Sequence, residues 1–231
     1  TGTLNITNTG KQFKVGGWGS TTTMAVFNNN TNGVVNHSGS SSFCIGKGGP
    51  GTYNNSGGTT TVSNPSLLSI GLEGNRADLT SGTNTLNVNA GTFTVTAAVP
   101  YIYLGGTGAN TTNSTGVINL NGGTFATATR ISKWQGTNSG TGNSATVNFN
   151  GGTLQGTANN MTLLGTDLTA VNIRTNGATV DVGSGLTNTI SANLLDGGGN
   201  GGLTKTGAGT LVLSGVNTYT GATTVNGGTM S

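Results

Sequence analysis

One arrangement recurs along the chain and constrains the fold more than anything else in it. An apolar-Asn-apolar-Asn stretch is followed by one or two Gly, then by Thr and an apolar residue. It reads NTLNVNAGTFTV from Asn84, GVINLNGGTF from Gly116, ATVNFNGGTL from Ala145, AVNIRTNGATV from Ala170 and TTVNGGTM from Thr223. Looser copies are TGTLNITNTGKQF from Thr1, NGVVNHSGSSSF from Asn32 and GTYNNSGGTTTV from Gly51. With the last Gly before the turn as anchor, the series is Gly10, Gly39, Gly58, Gly91, Gly123, Gly152, Gly177, Gly209 and Gly228, spaced 19 to 33 residues apart. A second signature, apolar-x-apolar-Gly, ends at Gly16, Gly46, Gly71, Gly105 and Gly165, and KWQG ends at Gly136 in the equivalent place. From Gly58, Gly91, Gly123 and Gly152 the next member of this second series lies 13 or 14 residues on.

Alternation with period two over five or six residues marks a half-buried strand. Gly at one phase of every unit marks a corner that needs either positive φ or a close backbone approach. A unit of two or three short strands cannot enclose a core alone. Stacked on copies of itself, each strand pairs with its equivalent about 4.8 Å along the axis, and the inward Leu, Val, Ile and Phe form columns. Asn at one phase in successive coils can then form a side-chain amide ladder. The architecture expected is all-β: a parallel β-solenoid, a right-handed β-helix of about eight to nine irregular coils and roughly 40 Å long. The competing arrangement is an antiparallel sandwich of hairpins, but sandwich strands are seldom copies of one another. The chain reads as one solenoid domain over 1–231, with divergent N-terminal coils over 1–50, NGGT-type units over 51–200 and a distinct final unit over 201–231. Tracts such as GTGANTTNST and GTNSGTGNS vary in length and read as loops.

Composition agrees with this. Gly (44), Thr (45), Asn (31) and Ser (18) make up well over half of the 231 residues, and these are poor interior helix residues. Only 8 Lys+Arg and 5 Asp+Glu are present, which argues against charge-driven disorder. The basic residues are scattered, so a nucleic-acid surface is not expected. No apolar run approaches the ~20 residues of a membrane helix, and no membrane insertion by this segment is expected. Cys44 is the sole cysteine, so no intramolecular disulfide can form.

The stretch GGLTKTGAGTLVLSGVNTYTGATTVNGGTM, Gly201 to Met230, closely resembles the passenger-associated transport repeat, also called the autotransporter-associated β-strand repeat. The resemblance runs through GLTKTGAGTL, LSG, NTYTG and the closing TTVNGGT. It implies a bacterial extracellular or cell-surface protein with a β-helical body, often an exported passenger.

Chemistry has little to draw on. The acidic residues are Glu73, Asp78, Asp167, Asp181 and Asp196. Glu73, Arg76 and Asp78 lie close together in GLEGNRAD and form a candidate charged surface site, read in the first place as a solvated loop. Asp167 and Asp181 fall in neighbouring units and could approach each other. His37 is the only histidine and reads as an ordinary repeat position near the Asn phase; with Cys44 and no third ligand it makes no metal site. GKGGPG from Gly46 is followed by TYNNSGG rather than a helix, which gives no phosphate cradle. No catalytic residue, cofactor or metal is expected. Tyr101 and Tyr103, two apart and on one face, are a candidate stacking platform for surface or matrix polysaccharide. Gly58, Gly91, Gly123, Gly152, Gly177, Gly209 and Gly228 are the expected repeat corners.

The function expected is therefore a non-enzymatic extracellular structural solenoid. Its coils are expected to continue past both ends, through more polypeptide or by head-to-tail stacking of copies. An adhesive or carbohydrate-binding passenger is the alternative, and a polysaccharide-acting enzyme fits the sparse acidic inventory least well.

Overall fold

The computed structural model describes residues 2–7, 12–16, 24–47, 49–73, 82–96, 101–106, 113–135 and 142–231. Among these residues there is no helix, and every strand pairing is parallel. Parallel pairing throughout rules out the hairpin sandwich. The strands form three rows, so each turn of the chain has three faces.

The first face stacks Thr3–Ile6, Val34–His37, the second half of Gly51–Val62, the second half of Gly82–Val95, Thr124–Thr127, Thr153–Gly156, Ala178–Val182, Leu203–Thr206 and Thr223–Val225. The second face is a nine-stranded row: Phe13–Val15, Phe43–Lys47, Leu68–Glu73, Ile102–Leu104, Ile131–Lys133, Met161–Leu164, Thr187–Ile190, Thr210–Leu213 and Thr229–Met230. The third face stacks Ala25–Asn30, the first halves of the strands starting at Gly51 and Gly82, then Ser114–Leu120, Ser144–Phe149, Ala170–Ile173 and Leu194–Asp196. The last two turns carry strands on the first and second faces only, so complete turns are somewhat fewer than the eight to nine coils expected.

In the copies from Gly51, Asn84, Gly116, Ala145 and Ala170 the apolar-Asn-apolar-Asn stretch lies on the third face, the anchoring Gly is the corner and Thr-apolar opens the first face, while apolar-x-apolar-Gly lies on the second. The copies from Thr1, Asn32 and Thr223 lie on the first face instead, so Gly209 and Gly228 are corners between the first and second faces and not equivalents of Gly91, a correction to the single series read from sequence. The variable spacers of the repeat fall between the second and third faces.

Stacking in register turns the sparse apolar residues into columns. On the third face Phe27, Tyr53, Leu86, Ile118, Val147, Val171 and Leu194 are successive partners. On the second, Phe13, Phe43, Leu68, Ile102, Ile131, Leu164, Ile190 and Leu213 do the same. On the first, Phe93 and Phe125 stack almost flat, with ring centroids 5.5 Å apart. Core residues such as Leu86, Ile118, Phe125 and Leu154 are fully buried. A chain so poor in apolar side chains folds because each turn needs only a few of them inside.

The outward Asn phase forms the ladder that its spacing suggests. Asn28, Asn54, Asn87, Asn119, Asn148 and Asn172 are register partners in successive turns. Each Nδ2 donates to the Oδ1 of the preceding turn at 2.7, 2.7, 2.8, 2.8 and 2.9 Å. The ladder stops at Leu195, the next position in register.

Corners use both devices that Gly allows. Gly91, Gly177 and Gly228 adopt positive φ of 70°, 76° and 68°. Gly58, Gly123, Gly152 and Gly209 are absent from the positive-φ set and are instead crowded: a β-carbon at Gly152 would lie 2.7 Å from the carbonyl carbon of Leu120 one turn below.

Polar residues also sit at column positions, among them Asn29, Asn55 and Lys205. Asn29 and Asn55 occupy places that Val88 and the apolar residues after it hold in later turns, and their amides are bonded to each other at 3.1 Å and to Thr60. Lys205 lies between Val180 and Val225 in the first-face column and is fully buried. Its Nζ donates to the carbonyls of Thr206, Gly207 and Gly227 at 2.5, 2.8 and 3.2 Å, so three donors meet three acceptors. Burial lowers the pKa of this ammonium, against the opposing influence of Asp181.

His37 corrects the expectation drawn from sequence. Asn36 holds the Asn phase, bonded to Asn5, whereas the His37 ring is buried edge-on to Phe43 at 5.7 Å. Its Nε2 bonds Ser41 at 3.2 Å, and burial holds its pKa below the ordinary value.

Asn119→Ala is expected to cost about 2 kcal/mol, the net worth of the two hydrogen bonds it makes to Asn87 and Asn148 at about 1 kcal/mol each. Asn119→Asp is expected to cost more at pH 7 than at pH 3, because its carboxylate would face the Asn87 Oδ1 acceptor; urea unfolding at both pH values checks this.

Candidate functional site

Among the described residues, the outer surface of the second face carries a cluster in which aromatic and charged side chains converge. Tyr103 points outward from Ile102–Leu104, whose Ile102 and Leu104 are buried, as period two requires. Tyr101 immediately precedes that strand, and the two rings lie 5.6 Å apart at 56°. The next turn supplies Ser132 in register with Tyr103, Arg130 just before the strand and Trp134 just after it. Trp134 meets Tyr103 edge to face at 4.6 Å. The Arg130 guanidinium carbon lies 5.7 Å from the Tyr101 ring centre, a cation–π contact. A further turn on, Asp167 reaches back over Ser132.

Asp167 is held from three sides. Its Oδ1 pairs with Arg130, and its Oδ2 accepts from Ser132 Oγ at 2.5 Å and from the Lys133 backbone N–H at 2.7 Å. Burial acts to raise its pKa, but the bonds from Ser132 and the Lys133 amide, with the Arg130 charge, outweigh it and hold the carboxyl below its usual range. Tyr103 is shifted the other way, by burial and by the neighbouring Tyr101. Tyr101, Tyr103, Arg130, Ser132, Lys133, Trp134, Gln135 and Asp167 line an open groove of about 250 Å³.

The other expected site residues fall elsewhere. Glu73 ends its strand in register with Lys47, and Arg76 and Asp78 lie outside the described residues. Asp181 does not join Asp167: it projects from the first face, accepting from Gln155 Nε2 at 2.6 Å and Thr206 Oγ1 at 3.1 Å. The carboxylate that Asp167 could have used as a partner is thus engaged on a different face, and Asp167 itself is tied up in an ion pair. Among the described residues, this arrangement presents no pair of carboxylates of the kind used in acid–base chemistry.

The sequence did not group Arg130, Ser132 and Trp134 with the tyrosines, and it set Asp167 beside Asp181 instead. The one available signal was the second signature, which places KWQG one unit after IYLG and so sets Trp134 beside Tyr103. Nothing in spacing announces Asp167, which reaches its partners from a turn outside the strands.

In comparisons with known proteins, the model of the passenger-associated-transport-repeat family matches residues 203–231. That segment holds the last strands of the first and second faces and the buried Lys205. Comparison with curated proteins and with solved structures gives no significant match.

Asp167→Asn is expected to lower the melting temperature at neutral pH. A depressed carboxyl contributes stability that is present above the unfolded pKa, near 4, and lost as pH falls through the folded value. The difference between native and variant proteins should therefore be constant from pH 8 to pH 5 and shrink below about pH 4, as thermal scans across that range will report.

Proposed function

We propose that this chain is part of an extracellular, non-enzymatic β-solenoid of the autotransporter-passenger kind, acting at a bacterial cell surface as a stalk or fibre subunit. The match of residues 203–231 to the passenger-associated repeat supports the setting. The observation that carries the mechanical reading is the continuity of the parallel rows from turn to turn, which makes the body a rod whose cross-section repeats.

Among the described residues, the rod's outermost strands have one edge without a strand partner: Thr3–Ile6, Phe13–Val15 and Ala25–Asn30 at one end, Thr223–Val225 and Thr229–Met230 at the other. Leu4, Val26 and Val225 on these strands are exposed. Such edges pair readily with a further strand. The matching coil comes from more of the same polypeptide or from a second copy added head to tail, a contact that does not close on itself.

Negative-stain microscopy over a concentration series tests copy-to-copy stacking. Rods lengthening with concentration in steps of about 40 Å, nine strand spacings, are expected. Particles of one length at every concentration would contradict it.

A further inference from the structure

We propose that the groove on the second face is a binding site for a sugar ring of a polysaccharide, with Tyr101, Tyr103, Trp134 and Arg130 as its contacts. Aromatic rings exposed beside one another offer an apolar face. Tyr101 is 37% exposed, and Tyr103 and Trp134 are half-buried around the same opening. The rings do not complete their packing among themselves: the groove between them is open, and no described side chain fills it.

Two buried donors on the groove's lining residues then specify what the occupant must bring. Arg130 Nε–H and Trp134 Nε1–H have no hydrogen-bond acceptor among the described residues. A buried donor without a partner is destabilising, and such groups call for a reason. Both belong to residues that line the groove, one beside Tyr101 and the other against Tyr103. An acceptor-bearing ligand lying against the tyrosines would satisfy them.

The acceptor on the protein side is already in use. Asp167 takes Arg130 on one oxygen and Ser132 and the Lys133 amide on the other. The groove therefore has donors to spare and its carboxylate engaged, so it favours an occupant rich in oxygen acceptors with an apolar face. A pyranose ring has both on one rigid body: a face of C–H groups to lie on a tyrosine and a rim of hydroxyl oxygens. A peptide segment would bring its own backbone N–H groups into a site whose carboxylate is taken. Arg130 and Lys133 against Asp167 leave one net positive charge, so uronic-acid sugars are accepted as well as neutral ones.

Register makes the placement firm. The groups come from three consecutive turns of one rod, Tyr101 and Tyr103 from one, Arg130, Ser132 and Trp134 from the next, Asp167 from the one after. The ion pair between Arg130 and Asp167 ties the second of these turns to the third and fixes the guanidinium over Tyr101. The site does not depend on whether the rods join into fibres.

The chain has two tryptophans, Trp18 and Trp134. Replacing Trp18 by Phe leaves Trp134 as the reporter in the groove. Its fluorescence is to be titrated with oligosaccharides of xylan, of chitin and of polygalacturonate, and with a casein peptide digest. A saturable change with at least one of the saccharides is expected, weakened at least tenfold by Tyr101→Ala and by Arg130→Lys. The second variant keeps a cation for Asp167 but removes the Nε–H, and circular dichroism confirms that both retain the β signature. No saturable response to any of the three saccharides, a response from the peptides alone, or saccharide affinity unchanged in both folded variants would each overturn the proposal.

Discussion

Everything in this molecule depends on parallel pairing in register, which sets each residue about 4.8 Å from the residue at the same phase of the next turn. That constraint makes like meet like. Apolar residues fall into columns running from Phe27 to Leu194 and from Phe13 to Leu213, and outward Asn residues of the third face fall into an amide ladder from Asn28 to Asn172. It also explains how so little hydrophobic material makes a core. A globular domain must fill a three-dimensional interior, whereas here each turn fills only a thin slice and hands the next turn the surface on which to stack.

The same constraint sets what the sequence revealed and what it hid. Properties of a single phase were legible: strand periodicity, Asn laddering, and corners at Gly91 and Gly152, one taking positive φ and the other standing too close to Leu120 for a side chain. Residues that break their phase were not legible. His37 follows the Asn it was grouped with and turns inward, and Lys205 alternates with Leu203 in LTKT, so it shares Leu203's buried phase despite its charge. Its three carbonyl partners are Thr206 at the end of its own strand, Gly207 in the bend that follows and Gly227 in the next turn, and only the folded backbone brings them together.

The groove was half visible for a related reason. Tyr101 and Tyr103 are neighbours in the chain, so their shared side was apparent. Trp134 lies one turn away and Asp167 two turns away, and their approach depends on the lengths of intervening loops that differ from unit to unit. Rows of strands are thus the conservative part of this rod. The corner between the second and third faces, where spacers vary in length, is where chemistry can be added without disturbing the stack.

Distance measurement between spin labels on the third face tests the stacked register most directly. Val26, Thr52, Thr85, Val117, Thr146 and Ala170 are successive outward partners. In a background with Cys44 replaced by Ala, labels at Val26 and Val117 span three strand steps and labels at Val26 and Ala170 span five. The second distance should exceed the first by about 10 Å, two strand spacings, with narrow distributions for both. Equal distances, or a difference of several times that size, would contradict a parallel stack in register.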